Sequence, residues 1–576
     1  MKTASIHLAL LLLGTSALEG VPGPFDWPQW QGQARDASSK ETGLLKEWPQ
    51  EGPRLAWKAT GLGGGDSTPS IAAGRIYGMS HRGSDEIVWA LSEQDGKEIW
   101  VVRTGPASST AFHQSKEGPA CTPTIDGDRM YVMGLAGNVA CLQVADGKVV
   151  WERNMKTEFG ARSPMWNFRE SPLVDGDKVI CTPGGSETTM VALNKMNGET
   201  IWKTFVPDGS PAASGPARGP AGPPANLPNV MQTDLFLSSL DKNRDGSITA
   251  EELNAAPVVL LAMDKDADGK LVEAELSSQP AVGGGDGNNQ RRRRGPGMLR
   301  MMKAHSALDA DESDAIDAAE MKNSVSVLLK LDENGDGTLI SEEVGMKRMG
   351  PQDTGAAYSS AIAIEFGGKR QYVQFLAKTV AGVSAEDGKL LWRYDKPANG
   401  MRLNISTPIF KDGHIFAASA YGAGGGLAKL IKNPDGGFAA EEVWFSKSME
   451  NHHGGIIIHD GAVYGSNGGN GGGYLACLDL KTGDVLWNER DSDKRRVSKG
   501  SVAFVDGRIY YRTEEGTMLL IEPSRTEYIE RGRFEQPDRT RLPAWAHPAV
   551  ANGKLYVRDQ DTLYCYDVKE GNQSFR

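Results

Sequence analysis

A segment of about 48 residues recurs along most of this 576-residue chain, and it limits the possible folds more than any other feature. Each copy has a short apolar run, an Asp-Gly or related turn, a second run with Tyr, a third run, another Gly turn and then Trp. Turns of this kind between apolar runs are typical of β-hairpins. The first runs begin near Pro69, Pro123, Pro172, Ala361, Pro408, Ile456, Val502 and Pro548. Four strands in each of eight copies predict an all-β propeller with eight blades.

The two ends of the repeat array complement each other. Residues 54–58 resemble a fourth strand that lacks the preceding three. Pro548 to Asp567 supply three strands that lack the Trp-bearing fourth. We expect the two segments to pair, because this closes the ring and removes its exposed edges.

Tryptophan ends most copies, at Trp100, Trp151, Trp202, Trp392, Trp444 and Trp487. In five of them a small residue stands ten positions earlier and a Gly four positions earlier. This spacing predicts that each indole packs between blades, where a large apolar area is buried. Cys141, Cys477 and Cys565 occupy corresponding positions in three copies, so we expect buried thiols too far apart for a disulfide.

Three segments carry a resemblance to a known family. Residues 477–487, with the sequence CLDLKTGDVLW, resemble the tryptophan-docking motif of quinoprotein dehydrogenase-like propellers, with Cys477 in place of the usual Ala. The repeats resemble the PQQ-binding-like family, which includes the outer-membrane assembly factor lipoprotein. The WPQWQG segment at 27–32 and the NHHGG segment at 451–455 are similar to exported bacterial members, many from planctomycetes. The resemblance implies the architecture and leaves the chemistry open.

A long insertion separates the third and fourth copies, since 158 residues lie between Trp202 and Ala361. The chain is therefore predicted to comprise a signal peptide at 1–20, propeller parts at 21–206 and 351–576, a Pro/Gly-rich linker at 207–228 and an inserted α-helical domain at 229–350 with an internal linker at 277–300. In a propeller, such a connection lies on the face where the central funnel opens. We therefore expect the insertion to border the funnel mouth.

Four acidic loops in the insertion have the spacing of EF-hand calcium sites. Ca²⁺ prefers about seven oxygen ligands, supplied at alternate positions of a 12-residue loop and closed by a Glu. Loop 1 (241–252) offers Asp241, Asn243, Asp245, Ser247 and Glu252. Loop 2 (264–275) offers Asp264, Asp266, Asp268, Lys270 and Glu275, and loop 4 (332–343) offers Asp332, Asn334, Asp336, Thr338 and Glu343. The sequence thus predicts an EF-hand domain that binds calcium.

Loop 3 (309–320) departs from the pattern. It offers Asp309, Asp311, Ser313 and Glu320, but Asp314 stands where the sharp turn needs Gly. We expect this loop to bind calcium weakly or not at all. Loops 1 and 2 begin 23 residues apart, as do loops 3 and 4. This equal spacing predicts two pairs, 1 with 2 and 3 with 4, each joined by a short helix.

The N-terminus has the pattern of a secretory signal peptide. Lys2 precedes an apolar run from Ile6 to Leu13, and small residues follow. The run is too short for a membrane anchor, and no Cys follows it for lipidation. A net charge of −11 disfavours nucleic acid as a partner. We therefore expect a periplasmic or secreted protein without an integral membrane segment.

The residues that enter each innermost strand of a propeller line its funnel. Here they include Asp66, Glu170, Asn404, His453, Lys499 and His547, with His452 beside His453 and with Arg162, Trp166, Asn167 and Arg169 before the third blade. Such a ring is suited to a small polar ligand or to a peptide of another envelope protein.

Two functions remain open at this point. The first is a non-catalytic, calcium-binding scaffold of the cell envelope. The second is a PQQ-dependent alcohol or sugar dehydrogenase, which the family resemblance implies as an alternative. Many of those dehydrogenases have a vicinal disulfide, and some have a haem domain, but this sequence has neither adjacent cysteines nor a haem motif.

Overall fold

The computed structural model describes residues 22–107, 118–161, 163–164, 166–207, 231, 234–276, 302–309, 315–332, 337–344, 355–356, 358–469, 472–489, 497–540 and 542–571. The predicted signal peptide, the linker from 208 to 228 and the linker at 277–300 lie outside these residues. So do Arg162, Asp311, Ser313, Asn334 and Asp336.

Eight four-stranded antiparallel sheets form the propeller, which confirms the predicted fold class. Blades 1 to 3 comprise Ser70–Ala72, Arg75–Arg82, Asp85–Ser92 and Glu98–Pro106; Thr124–Asp126, Arg129–Met133, Asn138–Gln143 and Val149–Asn154; and Leu173–Asp175, Lys178–Cys181, Met190–Asn194 and Thr200–Thr204. Blades 4 to 6 comprise Ile362–Phe366, Lys369–Phe375, Val380–Ser384 and Leu390–Tyr394; Ile409–Lys411, His414–Ser419, Gly424–Lys432 and Phe438–Ser446; and Ile456–His459, Ala462–Asn467, Tyr474–Asp479 and Val485–Asn488.

Blade 7 comprises Gly500–Val505, Arg508–Thr513, Thr517–Glu522 and Ile529–Glu535, with Ser38–Ser39 added in parallel to its first strand. Blade 8 comprises Ala549–Ala551, Lys554–Asp559 and Thr562–Asp567, and its fourth strand is Arg54–Ala59 from the N-terminal side. Trp57 lies opposite Cys565, so the predicted closure of the ring is confirmed.

The core lies between the blades. The second and third strands are buried along nearly their whole length, because a neighbouring blade covers each face. The fourth strands are mostly half-buried or exposed, because one side of the rim meets water. Apolar clusters accordingly join successive blades, from blade 1 with blade 2 to blade 8 with blade 1.

At six of the blade junctions, a tryptophan side chain joins the two neighbouring blades with the same geometry. In blade 5, the Trp444 indole N–H donates to the Leu480 carbonyl of blade 6 at 2.8 Å. Its ring covers Gly483, where a Cβ would lie 2.4 Å from a ring carbon. Equivalent hydrogen bonds join Trp57 to Glu93, Trp100 to Val144, Trp151 to Lys195, Trp202 to Ala385 and Trp487 to Ser524. The predicted packing of indoles between blades is therefore confirmed at these junctions.

Residues 26–39, which we call the central plug, fill the axis of the ring. The plug makes hydrogen bonds to seven of the eight blades, at the first strand or next to it: Trp27 to Ile71, Pro28 to Ile125, Arg35 to Ser171 and Ala361, Trp30 to Thr407, Ala37 to Phe504 and Asp26 to Asn552. A Cβ at Gly455 of the remaining blade would lie 2.8 Å from Gln31 Nε2. The plug therefore closes the channel and forms the floor of the funnel.

The insertion forms its own apolar core. Its described helices are Leu235–Leu240, Ala250–Leu253, Ala256–Met263, Glu273–Leu276, Lys303–Leu308, Ala318–Leu328 and Ser341–Val344, with a 3₁₀ turn at Leu329–Leu331. One further short helix, Met155–Phe159, lies after blade 2. Among the described residues, no helix is long and apolar enough to cross a membrane.

Candidate functional site

The funnel residues come from two kinds of loop. Each first strand begins at one face of the ring, which we call the upper face. Because the strands are antiparallel, each second strand ends at that same face. The connections between blades and the turns between second and third strands therefore meet there. His452, His453, Lys499 and His547 come from the connections, and Tyr421 and Glu514 come from the turns.

A chain of polar contacts links blades 5, 6 and 7. The Tyr421 hydroxyl lies 2.6 Å from His452 Nε2, and Lys499 Nζ lies 3.1 Å from His452 Nδ1. The same ammonium group forms an ion pair with Glu514 Oε1 at 2.9 Å. His452 and Lys499 are almost completely buried, so this chain is shielded from solvent.

Aromatic rings enclose the second imidazole. The His453 ring stacks on Trp545, with centroids 4.5 Å apart, and lies 3.7 Å from the His452 ring. The His547 ring nitrogen Nε2 contacts the His453 carbonyl at 2.8 Å, and the other face of the site is completed by Trp30 of the plug, 4.6 Å from His547. His453 Nε2 is buried and has no hydrogen-bond partner among the described residues.

Asp66 and Arg169 form a separate, largely buried acid–base pair. Asp66 Oδ1 accepts a hydrogen bond from Gln560 at 3.0 Å, and Asp66 Oδ2 lies 3.8 Å from the Arg169 guanidinium. Burial raises the pKa of Asp66 to about 6, although Arg169 and two further arginines oppose the shift.

Burial also dominates the electrostatics of the imidazoles. Desolvation is the main cause that holds the pKa values of His452 and His453 well below the ordinary range, and the Lys499 ammonium acts in the same direction on both. Burial lowers the pKa of His547 to about 4. It raises the pKa of Glu514, and the Lys499 ammonium opposes this rise. At neutral pH the imidazoles of the site are therefore neutral.

The space inside this cluster is small. His452, His453, Lys499, Glu514 and Trp545 line a cavity with room for about one water molecule. Pockets for drug-sized ligands usually enclose about 300–1,000 Å³. The cavity is therefore suited to an ion or a very small molecule.

The other predicted funnel residues are used within the fold. Asn404 donates to the Leu376 and Ala377 carbonyls and accepts from Asn399 and Ser419, so no group of its amide is left for a ligand. Glu170 is buried and accepts from the Thr182 backbone N–H at 2.6 Å. Burial raises the pKa of Glu170 to about 7.

A tricyclic quinone such as PQQ does not fit the groups described here. The predicted funnel residues Asn404 and Glu170 already make hydrogen bonds within the fold. Trp545 and Trp30 already contact His453 and His547. All five cysteines are free and buried, so no disulfide exists on which a quinone would stack.

The EF-hand loops have groups that fit calcium. Asp241 Oδ2 accepts from the Gly246 N–H at 3.0 Å, and Asp264 Oδ2 accepts from the Gly269 N–H at 2.9 Å. The other carboxylate oxygen of each Asp is buried without a hydrogen-bond partner. Such an oxygen is costly to bury unless a cation or a donor meets it. Carboxylate oxygens of Asp264, Asp266 and Asp268 lie within 4.8 Å of one another.

The closing glutamates lie across their loops. Glu252 accepts from the Lys242 and Thr249 N–H groups, and Glu275 accepts from the Lys265 and Val272 N–H groups. In loop 4, Asp332 accepts from Gly337 and Glu343 from Ile340. Ser247, Lys270 and Thr338 lie in the short strands of their loops. In loop 3, Asp309 is buried and Glu320 accepts from Asp317, while the middle of the loop lies outside the described residues.

The predicted pairing of the loops is wrong. Loop 1 pairs with loop 4, since Ile248 lies opposite Leu339, and loop 2 pairs with loop 3, since Leu271 lies opposite Ile316. Two loops joined by a short helix do not pair with each other, because each forms a two-stranded ladder with a loop from the other half of the insertion. Helix 256–263 packs against helix 318–328 instead, which brings the distant halves of the insertion together.

Sequence reasoning missed Glu514, Trp545 and Tyr421. Glu514 and Tyr421 lie in turns between second and third strands, which strand direction alone places on the upper face. The plug was also missed, because its contacts are spread over seven blades and no periodic pattern marks it.

The fold and sites together define an eight-bladed propeller of the tryptophan-docked, quinoprotein-like class with an inserted EF-hand domain. Residues 32–215, 347–489 and 472–576 match the family model described as outer membrane protein assembly factor BamB. Since these segments cover well over half of the chain, the protein belongs to this family. Residues 234–257 match an EF-hand model, which covers loop 1.

Individual relatives are distant. A quinohemoprotein alcohol dehydrogenase, ADH-IIG from Pseudomonas putida, is 22% identical over 237 residues, or 37% of this chain and 31% of the relative. The match thus spans about a third of that relative's length. BamB from Moraxella catarrhalis has a TM-score of 0.43 at 12% identity, covering 88% of this chain and 96% of its own. A quinohemoprotein alcohol dehydrogenase from Comamonas testosteroni has a TM-score of 0.43 at 12% identity, covering 97% and 82%.

Proposed function

We propose that this protein is an exported, non-catalytic, calcium-binding propeller that binds a partner in the cell envelope. The observation that carries the proposal is the pair of buried carboxylate oxygens, one on Asp241 and one on Asp264, that lack a partner at the first positions of two EF-hand loops. One calcium ion in each loop would satisfy the oxygen there and stabilise the insertion.

The plug supports the non-catalytic part of the proposal. It closes the channel below the upper face, and the polar groups above it are largely paired with one another. A substrate and a tricyclic cofactor would need space that the side chains now occupy. The folded upper face and the insertion that leaves the ring there, between Thr204 and Ile362, are instead available to another protein.

Calorimetric titration of the purified chain with CaCl₂ tests calcium binding. We expect heat from at least two sites in the wild type. Glu252→Gln removes a bidentate ligand and should abolish or weaken by at least tenfold the binding at one site. Glu251→Gln changes the neighbouring exposed carboxylate of the same helix and should leave the titration unchanged. Absence of calcium heat in the wild type would overturn the proposal.

A second assay tests the alternative of a dehydrogenase. The chain is incubated with PQQ and Ca²⁺, and dye reduction is followed with a panel of alcohols and aldose sugars. We expect no turnover above that of the free quinone. Substrate-dependent turnover would show that the protein is an enzyme.

Export and the position of the insertion have separate tests. The mature protein, isolated from the envelope fraction, should lack about the first 20 residues by intact mass. Limited proteolysis with and without a chelator should show faster cleavage of the insertion when calcium is removed. Equal cleavage would contradict a calcium-ordered insertion.

A further inference from the structure

The upper-face cluster contains a donor set that the calcium proposal does not use. One nitrogen each of His452 and His453 and one carboxylate oxygen of Glu514 lie within 4.8 Å of one another. Two imidazoles and a carboxylate are typical ligands of borderline divalent transition ions, whereas Ca²⁺ prefers oxygen alone. With ligand bonds of about 2.0–2.2 Å, tetrahedral coordination places the ligand atoms roughly 3.3–3.6 Å apart, so the donors must move closer by up to roughly 1.5 Å.

Neighbouring side chains hold the donor groups in position. The Tyr421 hydroxyl meets His452 Nε2 at 2.6 Å, which leaves Nδ1 directed toward the cluster. Trp545 donates its indole N–H to Glu514 Oε1 at 3.2 Å and stacks on His453. Trp545 thus holds both His453 and Glu514 in position.

One donor is left without a partner. His453 Nε2 is buried and makes no hydrogen bond with any described residue. A buried polar atom of this kind costs free energy unless a ligand or water meets it. The small cavity next to it is bounded by the same histidines and Glu514.

A cation already occupies the place between the other two donors. Lys499 Nζ lies 3.1 Å from His452 Nδ1 and 2.9 Å from Glu514 Oε1. The ammonium group therefore contacts the atoms that a metal ion would contact. The two cations repel each other at this distance, so a metal ion binds only if the lysine side chain moves away.

We infer that His452, His453 and Glu514 form a site for a divalent transition ion such as Zn²⁺, and that Lys499 competes with the ion for this site. The ion bonds to the two imidazoles and the carboxylate, and the ammonium group moves away from these three ligands. Lys499 thereby sets the affinity of the site. The inference is independent of the EF-hand loops, since none of its residues belongs to the insertion.

The test uses the full chain in saturating CaCl₂, so that the EF-hand loops are filled, and titrates Co²⁺ while recording its visible absorption. We expect one equivalent of Co²⁺ to bind with a band typical of nitrogen and oxygen ligands, and Zn²⁺ to displace it. Lys499→Met should bind Co²⁺ at least tenfold more tightly. His453→Gln and Glu514→Gln should each weaken binding at least tenfold.

His459→Gln is the matched control, because this histidine lies in the first strand of blade 6 outside the cluster. It should leave the titration unchanged. Circular dichroism and thermal unfolding establish that each variant is folded, and Lys499→Met keeps the inference testable if a ligand variant does not fold. Absence of a Co²⁺ band in both the wild type and Lys499→Met would overturn the inference. Binding that survives both His453→Gln and Glu514→Gln would overturn it as well.

Discussion

Substitution of Gly483 by Ala should show how strongly the tryptophan lock joins two blades. Gly483 lies in the turn between the third and fourth strands of blade 6, with φ of +76°. A Cβ at this position would lie 2.4 Å from Trp444 Cε3. The positive φ costs an L-residue roughly 1–2 kcal/mol, and overpacking a tight contact costs roughly 1–3 kcal/mol more. We therefore expect Gly483→Ala to lower the free energy of unfolding by about 2–5 kcal/mol.

Gly507→Ala is the matched control. Gly507 has φ of +71°, but a Cβ there would meet no atom within 4 Å. Only the backbone cost applies, so we expect a loss of about 1–2 kcal/mol. Urea unfolding followed by far-UV circular dichroism, in saturating calcium, measures both variants. The difference between them reports the indole contact alone.

A double-mutant cycle with Trp444→Phe completes the test. Phenylalanine lacks the second ring that covers Gly483, and it also loses the hydrogen bond to the Leu480 carbonyl. In this background the cost of Gly483→Ala should fall to that of Gly507→Ala. A destabilising contact between the new Cβ and the indole is contradicted if Gly483→Ala costs no more than the control, or if its cost is the same in both backgrounds.

Two further predictions concern buried groups. Glu86 accepts a hydrogen bond from the Leu135 N–H, and burial raises the pKa of Glu86 from 4.5 to about 7. In the unfolded chain this carboxyl group loses its proton at lower pH. The stability that the protonated group contributes therefore falls as the pH rises from about 4.5 to about 7. The free energy of unfolding should fall less between pH 5 and pH 8 in Glu86→Gln than in the wild type, by up to about 3 kcal/mol, as measured by urea unfolding. Glu152→Gln, at an exposed position, should leave the pH dependence unchanged. An unchanged pH dependence in Glu86→Gln would contradict the raised pKa of Glu86. The five cysteines are buried and free, so a thiol reagent should label none in the native protein and all five after denaturation, and rapid labelling of a native thiol would contradict the packing of these side chains.

The periodic part of the molecule is predictable from sequence. The spacing of the turns and of residues such as Trp100 and Trp202 predicts eight blades and the packing of indoles between them, and the structure confirms both. This works because each blade is one local unit whose strands are joined by short turns. The closing strand at 54–59 is also predictable, since a ring leaves only one place for an unpaired fourth strand.

The candidate sites are predictable only in part. Loops 1, 2 and 4 can be recognised because their calcium ligands lie within twelve residues of one another. The pairing of the loops cannot be recognised from sequence, because Ile248 and Leu339 are 91 residues apart. The 23-residue spacing fits pairing of loop 1 with loop 2 as well as pairing of loop 1 with loop 4. Likewise, His453 stands out in the sequence, but Glu514 reaches it only through the stacking of blades 6 and 7.

The sequence by itself determined what depends on short-range periodicity: the strands, the turns, the number of blades and the individual calcium loops. Only the tertiary structure decided which loops pair, which side chains meet on the upper face, and that residues 26–39 fill the channel. The physical reason is that local patterns record the conformation of neighbouring residues. Contacts between distant segments depend instead on how the ring closes, and this depends on the packing of all eight blades together.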